Sequence, residues 1–158
     1  MRYFLLDRVT EIVPGVSARG VKNVTLTDEV LHDHFPDFPI LPGALVVEAM
    51  AQLGGFLVEV SQNSDDRPLV RALLAQIRKA KFSQPAEPGD QIELSVRLGA
   101  TLDAAVEVEA EATVRGARIA RAELTFMLRE IASDRVNEQR RYLYRLWTRG
   151  LAEPVRIP

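Results

Sequence analysis

The strongest constraint on this chain is one near-apolar run, Gly43 to Val60, in which Glu48 and Gln52 stand out. Apolar residues fall on almost every side of it, the pattern of a helix buried all round. The residues before it carry Pro36, Pro39 and Pro42, a spacing that forbids a regular helix over 32–43. Pro42 suits the first turn of a helix, so Ala44 to Val60 is read as the helix itself. A bilayer span needs about 20 apolar residues with few charges. Glu48 and Gln52 argue against that use, so the helix must find its cover inside the protein.

The cover is legible downstream. Leu69 to Phe82 reads as a strand ending before Pro85 and the turn Pro88-Gly89-Asp90. Ile92, Leu94, Val96 and Leu98 alternate with polar residues. Val106, Val108, Ala110, Ala112 and Val114 repeat the pattern, with Glu107, Glu109 and Glu111 on the other face. Ile119, Ala120, Ala122, Leu124, Phe126 and Leu128 form the last run, joined to the one before it by Arg115-Gly116-Ala117-Arg118. Long consecutive strands with one polar face predict an antiparallel sheet. Upstream, residues 17–27 read as a strand after the turn Pro14-Gly15. Pattern alone gives an α+β chain in which a sheet covers one apolar helix.

The 158 residues suit one domain, and 47% hydrophobic with 27% charged residues is ordinary for a globular protein. A net charge of −2 excludes a wholly electrostatic nucleic-acid binder, so no nucleic-acid partner is expected. Without cysteine there is no disulfide, no thiolate nucleophile and no thiolate metal site. The opening Met1 to Arg8 has too short an apolar run for a signal peptide, and a soluble, cytoplasmic protein without a membrane span is expected. Residues 1–130 are taken as the domain and 131–158 as an extension, with a helix over 134–149 ending at Gly150 and a loose tail. Val136, Leu143, Leu146 and Trp147 would share a face of that helix, which either packs on its own subunit or docks an acidic partner through its arginines.

Three residues carry the chemistry. Glu48 is flanked by apolar residues on both sides, and burying a carboxylate is costly unless it is paired or protonated. Desolvation raises a carboxyl pKa, which is the property of a proton donor for a leaving hydroxyl. Gln52, four residues on, shares its helical face and is placed to orient it. His34 opens the proline-rich loop, and an imidazole serves as base or acid near neutrality. His32 lies two residues away, but two histidines without a third ligand make no metal site, so none is expected. Gly43 sits at the helix mouth, where free N–H groups and the dipole polarise a carbonyl oxygen. Each has a plainer reading: a structural carboxylate, a histidine satisfied by local backbone, a glycine in a turn.

Together, His34-Phe-Pro through Pro42-Gly43 to Glu48-Ala-Met-Ala-Gln52, with Glu48 14 positions after His34, resemble the signature of the FabZ and FabA 3-hydroxyacyl-ACP dehydratases. The segment Phe4 to Gly15, the strand around Val21 to Thr25, and Phe82, Pro85 and Pro88-Gly89-Asp90 resemble further parts of that family, so the likeness covers about residues 3–129. It implies a hotdog fold, a sheet wrapped around a central helix, and dehydration of a 3-hydroxyacyl-ACP to a trans-2-enoyl-ACP in fatty acid, polyketide or unusual-lipid synthesis. His34 would remove the α-proton, Glu48 would assist loss of the hydroxyl as water, and the Gly43 N–H would polarise the thioester carbonyl. A glutamate at position 48 is more FabZ-like than FabA-like, which favours plain dehydration. The family uses no metal and no organic cofactor. Its partner is acyl carrier protein, and its sites are shared across a homodimer, with a trimer of dimers as the larger assembly. Phe38, Leu41, Leu45, Met50, Gln52 and Phe56 are the expected walls of the acyl site. Ser83-Gln84 stand where the family carries basic residues, so Arg71, Arg78, Lys79 and Lys81 are the alternative carrier-protein patch. Two other functions stay open at this point: a hotdog acyl thioesterase and a non-catalytic carrier-protein binder.

Overall fold

The computed structural model describes residues 3–158. Met1 and Arg2, which open both the expected domain and the leader reading, lie outside the described residues. Six strands form one antiparallel sheet in the order β1-β2-β4-β5-β6-β3. They span β1 (Arg8–Val13), β2 (Ser17–Asn23), β3 (Val70–Phe82), β4 (Gln91–Leu102), β5 (Ala105–Val114) and β6 (Ala117–Glu130). Helix α1 (Gly43–Gln62) crosses the concave face of the sheet, and α2 (Asp134–Thr148) follows the last strand.

The alternation read from sequence sets which face is buried. In β5 the apolar positions Val106, Val108, Ala110, Ala112 and Val114 are buried, and the intervening residues face outward. The β5–β6 hairpin closes on Arg115 and Gly116, both at positive φ (49° and 79°), the backbone a two-residue turn needs to match strand twist. Register shifts in β3 at Leu74/Gln76 and Arg78/Lys81, and between β4 and β5 at Leu98/Thr101, add the bends that let the sheet curl. The early segment differs from the single expected strand over 17–27. Residues 8–23 are a hairpin of two strands turning through Gly15 at φ 80°, and the chain leaves the sheet at Asn23.

Helix α1 has the length and mean hydropathy (20 residues, 1.5) of a membrane span, but here it is the core helix. Met50, Leu53, Phe56 and Leu57 along it have no exposed surface. Burying four such side chains contributes roughly 1.5–3 kcal/mol each, which outweighs any weakness of local helix propensity. Helix α2 starts at Ser133, whose Oγ accepts from the Val136 N–H. It packs on its own chain: Tyr144 and Trp147 meet Phe56 of α1 edge-on at centroid distances of 4.7 and 6.3 Å. Leu146, expected on the packed face, points outward, because a stripe of Leu143, Tyr144 and Trp147 takes the contact instead.

Candidate active site

The loop before α1 is irregular but closely tied. The Phe35 and Phe38 N–H groups each donate to the other's carbonyl, the Ile40 N–H donates to the His34 carbonyl, and the Leu41 N–H donates to the Ala86 carbonyl. These bonds answer the need of backbone groups that prolines keep out of regular structure. The His34–Phe35 peptide bond is cis. The His34 ring stacks on Phe35 (4.2 Å between centroids), and its Nδ1 lies 2.9 Å from the Ile40 carbonyl oxygen. A carbonyl can only accept, so Nδ1 carries a proton, and in the neutral ring the lone pair is on Nε2. That is the tautomer a base requires.

Glu48 is half-buried, one and a half turns into α1, and is held from one side. Gln52 Nε2 donates to Glu48 Oε1 (3.0 Å) and to the Tyr3 carbonyl (3.0 Å), while Gln52 Oε1 accepts from the Leu5 N–H (3.0 Å). The amide thus links the N-terminal segment to the carboxylate and fixes its rotamer. The Tyr3 phenol is pushed above its ordinary pKa, first by desolvation and then by the charge of Glu48 and a hydrogen bond to it. Glu48 opens into a cleft of about 470 Å³ bounded by α1, the start of β3 and α2.

Gly43 is the first residue of α1, and its Pro42 cap supplies no side-chain bond. The Leu45 and Val46 N–H groups both turn back to the Pro42 carbonyl, which leaves the Gly43 and Ala44 N–H groups free of intrahelical acceptors. A Cβ at Gly43 would come within 2.7 Å of the Phe82 ring, so glycine is what lets the helix start against that ring.

The remaining expected walls do not form one surface. Leu41 and Leu45 line a separate cleft beside Phe4 and Lys22, Phe38 is exposed, and only Gln52 shares the cleft of Glu48. Met50 and Phe56 are sealed in the core against the sheet and α2, so within this chain they are packing residues rather than walls.

The expected basic patch needs correction at Arg71. That side chain is 1% exposed and cannot meet an external partner. Its Nη1 donates to Glu59 Oε2 (2.7 Å) and its Nε to Asn137 Oδ1 (3.0 Å), while Nη2 has no partner among the described residues. Glu59, itself fully buried, also accepts from the Ala72 N–H (3.0 Å) and the Tyr144 hydroxyl (2.7 Å). Burial, then the Glu59 charge, hold the Tyr144 phenol well above its ordinary pKa, with Arg140 and Arg71 acting in the opposite sense. Arg78 and Lys79 are on the surface but are ion-paired to Glu107 and Glu123 of the neighbouring strands, and Lys81 is exposed. Sequence reading missed Glu59. The signal was present, since it is a second carboxylate inside the apolar run, eleven positions after Glu48 on the same stripe.

His34 is not among the residues that line the cleft of Glu48.

Residues 1–123 match the FabA-like domain family. The chain is 37% identical over 128 residues to the 3-hydroxyacyl-[acyl-carrier-protein] dehydratase FabZ of Bacillus subtilis, covering 81% of this chain and 89% of that protein. In structure it is similar to smu.793 from Streptococcus mutans bound to acetyl CoA, with TM-score 0.64 at 17% identity over 84% of this chain and 96% of the other. It is also similar to a hot-dog-like protein from Thermanaerovibrio acidaminovorans, with TM-score 0.59 at 17% identity over 91% and 97%. The helix wrapped by a curled antiparallel sheet is the hotdog fold, and the chain belongs to the FabA-like family.

Proposed function

We propose that this protein is a hotdog hydro-lyase that converts a 3-hydroxyacyl-ACP to the trans-2-enoyl-ACP. The observation that carries the reading is the Glu48 carboxyl, held by Gln52 and opening into a cleft on the core helix, in a chain similar to FabZ dehydratases over most of its length. His34 Nε2 takes the α-proton, and its electron pair moves toward the thioester carbonyl, whose oxygen is met by the Gly43 N–H. The enolate collapses to form the C2–C3 double bond as the C3–O bond breaks. Glu48 gives its proton to the departing hydroxyl, which leaves as water. The proton held on His34 then returns to Glu48 through solvent, so the enzyme ends as it began.

The reading calls for a second copy of the chain, since the family resemblance implies sites shared across a dimer and His34 is not among the residues that line the cleft of Glu48. Support for a dimer comes from β3. It is a 13-residue edge strand whose outer side is unpaired among the described residues, and Leu73, Leu74, Ile77 and Phe82 are exposed on it. A long apolar edge is a template for pairing with another strand. Two β3 strands joined across a two-fold axis would continue the sheet and bring the loop of one protomer toward the helix of the other. A trimer of such dimers, a carrier-protein contact through Arg78, Lys79 and Lys81, and a soluble cytoplasmic setting belong to the same proposal.

Incubation with 3-hydroxyacyl-ACP should give the enoyl product, read as absorbance of the conjugated thioester. His34→Ala should lower the rate by about 10²–10⁴-fold with an unchanged circular dichroism spectrum. Hydrolysis to a free acid in place of dehydration would support a thioesterase, and near-normal turnover by the His34 variant would remove it from the mechanism.

A further inference from the structure

The cleft that Glu48 opens into has a second wall that the family-wide domain does not supply. Glu48, Gln52, Gly55 and Glu59 line it from α1. They fall at i, i+4, i+7 and i+11, one straight stripe that runs roughly 16 Å along the helix. The facing wall is α2, through Val136, Arg140, Leu143 and Trp147. Helix α2 lies beyond residues 1–123, which carry the family match.

Direction along the stripe follows from the chemistry already assigned. The thioester carbonyl belongs at the Gly43 end and the C3 hydroxyl at Glu48. Carbons beyond C3 then continue along the stripe toward Glu59 and α2. At that far end the charges do not balance locally. Glu59 is committed to Arg71, Tyr144 and the Ala72 N–H. Arg140 is half-buried on the opposite wall, with no carboxylate within ion-pair distance among the described residues. A partly desolvated guanidinium at the end of an acyl cleft is a poor neighbour for a methyl group and a good one for an anionic oxygen.

We infer that α2 closes the acyl cleft and that Arg140 is a specificity-determining residue that selects 3-hydroxyacyl chains ending in a carboxylate. The inference rests on the dehydratase reading and deepens it by naming the substrate class. A reaction that builds ω-carboxyacyl thioesters must then supply the substrate.

The test compares two 3-hydroxyacyl pantetheine thioesters of equal chain length, one ending in methyl and one in carboxylate. The wild-type protein should favour the carboxylate-ended substrate at least tenfold in kcat/KM. Arg140→Gln should cut that ratio at least tenfold, mainly through KM, and Arg140→Lys should restore part of it. A wild-type preference for the methyl-ended substrate, or a ratio unchanged in Arg140→Gln, would overturn the inference while leaving the dehydratase reading in place. Absence of dehydration of both substrates by the wild-type protein would overturn the dehydratase reading and this inference with it.

Discussion

At the scale of single residues, two carboxylates on one helix stripe take opposite roles because of what surrounds them. Glu48 has the Gln52 amide and the Tyr3 phenol as partners and an open cleft in front of it, the setting the proposed proton donor needs. Glu59 accepts from a guanidinium, a phenol and a backbone N–H, all out of water, and ties α1 to β3 and α2. Removing one partner of such a pair strands a buried charge, so Arg71→Ala should cost about 3–5 kcal/mol in a urea unfolding experiment. Tyr144 makes the same network sensitive to alkali. Its folded pKa lies well above the unfolded value, so the folded state keeps the phenolic proton where the unfolded state loses it. The stability is therefore complete below about pH 10 and is lost as pH rises through the folded value. Thermal melts between neutrality and pH 11 should show that loss in the wild-type protein and a shallower one in Tyr144→Phe.

Among the elements, the parts legible from sequence are those whose residues obey a single period. Alternation gave β4, β5 and β6 with their buried faces, and the all-round apolar run gave α1, because burial imposes the same pattern whatever the neighbours. The tight loop with His34 was legible as an irregular, proline-rich segment, but its ring tautomer depends on the Ile40 carbonyl, a contact no spacing reveals. The split of residues 8–23 into two strands was hidden because mixed apolar and charged residues there follow neither period cleanly. Arg71 misled for a related reason. A charged residue at the start of a strand is usually solvated, and only its meeting with Glu59 and Asn137, distant in sequence, explains its burial. The same strand carries a prediction. Ile77 is 48% exposed on the free edge of β3. Ile77→Lys places a charge where two strands would meet, so light scattering should show a monomer and the dehydration rate should collapse while the sheet signal in circular dichroism persists.

For the whole molecule, the proposed reaction draws on three places: His34 on a loop as base, Glu48 on the core helix as acid, and the Gly43 N–H at the helix mouth as carbonyl clamp. The cleft of Glu48 does not include His34 among its lining residues. A two-fold assembly makes this arrangement complete twice over, since the same surfaces meet in both directions. Helix α2, packed on Phe56 through Tyr144 and Trp147, lines the cleft of Glu48 opposite α1 and lies beyond the residues that carry the family match. The most direct test of the shared site is complementation. His34→Ala and Glu48→Gln chains, each inactive alone, are co-expressed with different tags and purified through both. The account predicts that the mixed assembly recovers about a quarter to a half of the wild-type rate, because one site of each mixed dimer joins an intact His34 to an intact Glu48. A mixed assembly as inactive as either parent would contradict it.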